Sequence, residues 1–81
     1  MSEIQWTKRA TKQWLKIQLR DRQRIFDSIE TLKSWPDCRN VKALVNRQGY
    51  RLKVGHYRVL FTAGLKIIRI EEVKKRDERT Y

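Results

Sequence analysis

The sequence of 81 residues holds one cysteine, one proline, one histidine and three glycines, and only 9 acidic residues against 20 basic ones. With Cys38 alone, no internal disulfide can form. No apolar run follows the opening MSEIQWTKRA, so no signal peptide is read there, and nothing approaches a membrane span. No linker, internal repeat or low-complexity segment interrupts the chain. Carboxylates do not cluster with histidine, and no ligands are spaced for a metal. The expectation is a cytoplasmic protein with neither metal nor small-molecule cofactor, folding as one small domain over residues 1–81. A chain of this length buries only about 60% of its unfolded surface, so its stability is marginal.

What the chain does have is positive charge and apolar pattern together. Its formal net charge is +11, and a body so charged attracts polyanions or acidic partners. It is 40% hydrophobic with three Trp, three Tyr and two Phe, which argues against disorder. Nucleic acid, a ribosome or an acidic protein are the partners this balance suits.

EIQWT, Glu3 to Thr7, alternates polar and apolar and reads as a first strand. Thr7 can cap a helix whose apolar face is Ala10, Trp14 and Ile17. Asp21 is the candidate N-cap of a second helix with the stripe Ile25, Phe26, Ile29 and Leu32, ended by Pro36. The two short helices should form an antiparallel hairpin. DCRNVKALVNRQG shows neither period and reads as a loop. Three strands follow, at Tyr50–Val54, Tyr57–Thr62 and Leu65 to about Lys74, with turns at Gly55-His56 and Ala63-Gly64. The fold class is α+β, in the order β-α-α-β-β-β.

A two-residue turn at Gly55-His56 sets Val54 against Tyr57, Lys53 against Arg58, Leu52 against Val59 and Tyr50 against Phe61. One face is then apolar, and the other carries Arg51, Lys53, Arg58 and Leu60. A turn at Ala63-Gly64 would set Arg69 opposite Arg58, making a row of Lys53, Arg58 and Arg69. Like charges facing across strands are destabilising. Either the long side chains splay into water, which screens them within about 8–10 Å, or a polyanion sits among them. Lys8, Arg9, Lys12, Lys16, Arg20, Arg22 and Arg24 on the helices are a solvated surface or a non-specific attraction for RNA phosphates.

GYRLKVGHYRVLFT, followed by IIRIEEVKKRDERTY, resembles the RelE/ParE superfamily of toxins from bacterial type II toxin–antitoxin pairs. The resemblance implies a twisted antiparallel sheet with a helical hairpin on one face. RelE-like members cut mRNA in the ribosomal A site, and ParE-like members poison DNA gyrase. Fold alone does not choose between them. By resemblance, Arg51 and Lys53 match the basic pair before the turn, Arg58 the arginine after it, and Tyr81 the late tyrosine. The last-strand basic position falls on Lys75 or Arg76: strand alternation from Arg69 favours Lys75, and residue type favours Arg76. The resemblance also implies a cognate antitoxin, the ribosome and mRNA as partners.

RNA cleavage without a metal uses the 2′-OH to attack the adjacent phosphate. It needs a proton acceptor, charge stabilisation on the phosphorane and a proton donor to the 5′-oxygen. Arg58 suits the second task, since guanidinium fits phosphate oxygens bidentately. Lys53, crowded by arginines, is the candidate base. Tyr81 can stack a base or help in proton transfer. The catalytic candidates are Lys53, Arg58, Lys75, Arg76 and Tyr81; the RNA-binding candidates are Arg51, Arg69, Lys74 and Arg79. His56 belongs to an exposed turn, Glu71 and Glu72 to ion pairs with neighbouring cations. Trp6, Trp14 and Phe26 belong to the core, Trp35 to the core or an antitoxin contact, and Cys38 to no function. The leading expectation is a RelE-like, metal-independent, ribosome-dependent mRNA endonuclease. The rivals are a gyrase poison and an RNA-binding protein without chemistry.

Overall fold

Thr7 is bonded in two directions, and the architecture turns on it. The computed structural model describes residues 2–75, so Arg76, Arg79 and Tyr81 lie outside the described residues. Strand β1 (Glu3–Trp6) ends just before Thr7 and helix α1 (Lys8–Leu15) begins just after it. The Thr7 hydroxyl accepts from the Ala10 amide at 3.1 Å, which caps α1, and donates to the Ile70 carbonyl at 2.8 Å. One side chain therefore starts a helix and fastens it to a strand more than sixty residues away.

Helix α2 (Leu19–Glu30) follows a three-residue link and runs into a 3-10 turn, Thr31–Ser34, before Pro36. Gln18, without a side-chain hydrogen bond, stands at its N-cap. Asp21 is therefore not the cap: α2 begins two residues before it, at Leu19. Asp21 lies in the first turn, where a carboxylate suits the helix dipole.

The α+β class and the order strand, two helices, then strands are as expected. The remaining strands are β2 (Val41–Ala43), β3 (Tyr50–Val54), β4 (Tyr57–Ala63) and β5 (Ile67–Lys75). They form one sheet in the order β1-β5-β4-β3-β2. The sheet is mixed: β1 runs parallel to β5, and the other neighbours are antiparallel. β2 lies in the stretch expected to be loop; three residues are too few to display a period.

The β3–β4 register is the one derived from the turn, with Lys53 against Arg58 and Tyr50 against Phe61. The β4–β5 register is not. β4 continues through Ala63, Gly64 donates its amide to the Ile67 carbonyl at 2.8 Å, and the chain reverses at Leu65-Lys66. A bulge then places Phe61 against Ile70 but Leu60 against Glu72, leaving Glu71 as the extra residue.

The core lies between the helices and one sheet face. Ala10, Ile25, Ile29 and Leu32 from the helical side meet Leu52, Val54, Val59, Phe61, Ile68, Ile70 and Val73 from the sheet. Aromatic rings close its edges. Trp6 packs edge-on to Trp14 at 5.6 Å and stacks with Phe26 at 6.4 Å, and Trp35 meets Tyr50 at 4.6 Å. No helix among the described residues is long and apolar enough to cross a membrane.

Thr7→Ala removes the cap and the bond to β5 together, so it should lower stability by about 1–2 kcal/mol, the upper half of the range for a lost cap. Urea unfolding of the variant measures this, and Thr7→Ser, which keeps the hydroxyl, should retain most of the stability.

Candidate functional site

The β3–β4 hairpin presents its polar side chains on the sheet face away from the helices. Gly55 takes a φ of +57°, as the first central residue of a type II′ turn requires, and exposed His56 follows it. Lys53 and Arg58 then stand opposite each other, with Arg58 in turn opposite Lys74 of β5. The row across the sheet is Lys53, Arg58 and Lys74. Arg69 does not belong to it: Arg69 faces Thr62, four residues further along β4 from Arg58. The later reversal at Leu65-Lys66, together with the bulge, accounts for that shift.

The bulge also reverses the alternation along β5. Without it, Arg69 and Lys75 would share a face. With Glu71 inserted, Lys74 shares the row's face, while Lys75 stands opposite Tyr57 on the helical side. Of the two alternatives for the last-strand basic position, Lys75 is thus turned away from Arg58, and Arg76 lies outside the described residues.

A second cation pair was not anticipated. Lys42 of β2 faces Arg51 of β3, on the same face as Lys53. The only sequence signal was the alternation of Val41 and Ala43 about Lys42, too short to mark a strand. An open cleft of about 430 Å³ runs along this region, lined by Asn40, Lys42, Arg51, Lys53 and Arg58.

Carboxylates are distributed unevenly around these cations. Glu72 lies 3.3 Å from Lys74 and 3.7 Å from Arg9, and Glu71 lies 3.5 Å from Arg69. Both glutamates take the ion-pairing role expected for them. Arg51, Lys53 and Arg58 take part in none of the ion pairs found among the described residues. Among the described residues the cleft is therefore cationic with no internal counterion, an arrangement suited to an anion with several negative charges. Among the described residues no group of three His, Cys, Asp or Glu comes together as a metal site.

Helix α2 braces the hairpin from the other side. The Tyr57 hydroxyl donates to the Asp21 carboxylate at 3.0 Å. Burial, then that hydrogen bond and charge, push the Tyr57 phenol above its ordinary pKa. The Arg24 guanidinium lies so close over the turn that a β-carbon on Gly55 would meet it at 3.2 Å. Trp35 packs on Tyr50 and Phe61 and is a core residue. Cys38 is half-buried, its thiol pushed up in pKa by burial and then by Asp37.

A family model described as the ParE toxin of type II toxin–antitoxin systems, parDE, matches residues 4–80. Solved structures share the fold. A chain of the archaeal RelE–RelB complex from Pyrococcus horikoshii OT3 superposes with a TM-score of 0.80 at 23% identity, with 98% of each chain covered. A chain of the RelBE2 toxin–antitoxin complex from Mycobacterium tuberculosis gives 0.80 at 19%, covering 93% of this chain and 98% of that one. A chain of the intact E. coli RelBE complex gives 0.79 at 18%, covering 96% and 100%. No curated protein matches by sequence.

Tyr57→Phe should cost about 1 kcal/mol at neutral pH, the worth of a typical hydrogen bond. A phenol with a raised pKa favours the folded state fully below its unfolded value near 10, and that contribution fades as pH rises through the folded value. The stability gap between wild type and variant, measured by urea unfolding from pH 7 to 11, should therefore close above about pH 10.

Proposed function

The chain belongs to the ParE toxin family of type II toxin–antitoxin systems, within the RelE/ParE superfamily, and we propose, from the chemistry of its cationic cleft, that it is a RelE-like endoribonuclease that cleaves mRNA in the ribosomal A site. The observation that carries this reading is the cationic cleft around Lys53 and Arg58, which is lined by no carboxylate among the described residues. A phosphodiester supplies the charge that the cleft lacks.

In the proposed reaction the 2′-oxygen attacks the neighbouring phosphorus. A cyclic 2′,3′-phosphate forms and the 5′-oxygen leaves with a proton. Arg58 binds the non-bridging oxygens and stabilises the charge that develops on them, a task for which its fork is better shaped than an ammonium. It cannot serve as the acid or base, since guanidinium keeps its proton. In this reading Lys53, which faces Arg58 across the hairpin, takes the proton of the 2′-OH. Lys74 adds positive charge from the other side of Arg58. By the resemblance, Arg76 and Tyr81 complete the site, Tyr81 by stacking a base or by assisting the proton donor.

The partner that restrains such a toxin is a cognate antitoxin, as in the RelE–RelB complexes of the structural relatives. The net charge of +11 favours one with acidic segments. Such a toxin acts in the cytoplasm, where ribosomes and mRNA are. The description of the matching family favours a second reading, a gyrase poison. A phosphate-gripping row is not needed for that role.

Arg58→Ala should lower cleavage by roughly 10²–10³-fold, as losing a transition-state donor does. Its folding stability should hold level or rise slightly, because a like-charge pair across strands is removed. Arg58→Lys should restore binding more than rate. Single-turnover cleavage on programmed ribosomes and thermal unfolding provide the two readouts. Full activity of Arg58→Ala removes Arg58 from the site. DNA breaks with intact mRNA in expressing cells would replace the nuclease reading with the gyrase one.

A further inference from the structure

Two like-charged pairs, not one, line the cleft, and they are stacked along β3. Lys53 faces Arg58, and two residues away Arg51 faces Lys42. Each such pair is unfavourable by a few tenths of a kcal/mol to about 1 kcal/mol. The neighbouring cations Arg9, Arg69 and Lys74 each have a carboxylate within 3.3 to 3.7 Å. The four cleft cations take part in no ion pair among the described residues. Among the described residues, counter-charge is thus supplied at one end of the sheet face and withheld at the other.

Lys42 is also held in place. The Lys53 amide donates to the Asn40 carbonyl at 2.9 Å, which docks the start of β2 beside the row, and Lys42 follows in register with Arg51. The step from Lys53 to Arg51 is two strand residues, about 6.8 Å at ~3.4 Å per residue. That is close to the step between successive phosphates of an extended nucleic-acid strand.

We propose that Lys42 and Arg51 form a second phosphate subsite, which takes the phosphate one nucleotide away from that held by Lys53 and Arg58. The inference rests on reading the site as RNA-cleaving. The intervening nucleoside lies in the cleft, whose volume of about 430 Å³ falls within the range of pockets that enclose small ligands. The RNA therefore runs along β3, away from the Gly55 turn, and β2 is the wall that holds its second phosphate. Lys42 and Arg51 grip substrate before and during the reaction alike, so they act on substrate binding more than on the maximal rate.

The test uses single-turnover cleavage on ribosomes programmed with mRNA carrying one uncharged methylphosphonate linkage, one nucleotide to either side of the scissile bond. On one of the two modified messages the wild type should need several-fold more toxin for half-maximal rate, with its maximal rate little changed. Lys42→Gln and Arg51→Gln should show the same weakening on unmodified mRNA and no further weakening on that message. Lys42→Arg, which keeps the charge, should weaken binding less than Lys42→Gln. If the variants weaken further on both modified messages as the wild type does, the subsite is wrong. A second measurement separates this inference from the nuclease reading. In binding to labelled single-stranded RNA, each Gln variant should reduce the slope of log affinity against log salt by about 0.7, the loss of one phosphate contact. An unchanged slope overturns the subsite even if the protein cleaves mRNA. A reduced slope supports it even if the wild type cleaves nothing, an outcome that would sink the nuclease reading alone.

Discussion

Gly55 has a φ of +57°, a conformation in which an L side chain is strained, and the register of β3 against β4 follows from it. A slip of one residue would carry Leu52 and Val54, or Val59 and Phe61, out of the core and turn Lys53 or Arg58 into it. Arg24 also lies over the turn, and a β-carbon on Gly55 would press on its guanidinium at 3.2 Å. The conformational requirement and the steric one coincide at one residue. The apolar face and the cationic face both inherit their composition from that turn.

The two faces differ greatly in energy. Each large side chain fully buried between sheet and helices contributes about 1.5–3 kcal/mol, and there are seven such side chains from Ile25 to Ile70. The like-charge pairs on the outer face oppose folding by about 1 kcal/mol each at most. The core therefore outweighs the repulsion, and the outer face can keep cations that a sheet chosen for stability alone would not. The hydroxyl of Thr7 and the Tyr57–Asp21 bond reinforce the inner side of the same strands. They hold the backbone beneath the cations without neutralising any of them.

The bulge in β5 performs a separate task. Inserting Glu71 allows Ile68, Ile70 and Val73 all to face the core although the last two are three residues apart. On the outer face it brings Lys74 beside Arg58 and sets Glu72 next to Lys74 and Arg9. One extra residue thus completes the cation row and places a carboxylate at its far end. Among the described residues, the cleft toward β2 is left with positive charge only.

How much was legible follows from how far each feature reaches along the chain. The hairpin from Tyr50 to Phe61 was readable because its pairing is set by a two-residue turn within it, and glycine marks that turn. The Thr7 cap and the helical stripes of Ala10, Trp14, Ile25 and Ile29 were readable for the same reason: helix signals are local. The reversal at Leu65-Lys66 carries no turn-forming residue at its centre, so Ala63-Gly64 was the natural but mistaken choice. β2 and its Lys42 were hidden because a three-residue edge strand exists only by virtue of its pairing with β3. By itself the sequence determined the α+β order, the cationic character and the opposition of Lys53 to Arg58. Tertiary structure decided that Arg58 meets Lys74 rather than Arg69, that Lys75 faces the helices, and that Lys42 joins the site. Those outcomes depend on strand pairings settled by how the whole sheet packs its apolar face on the helices, and no short window of sequence contains that information.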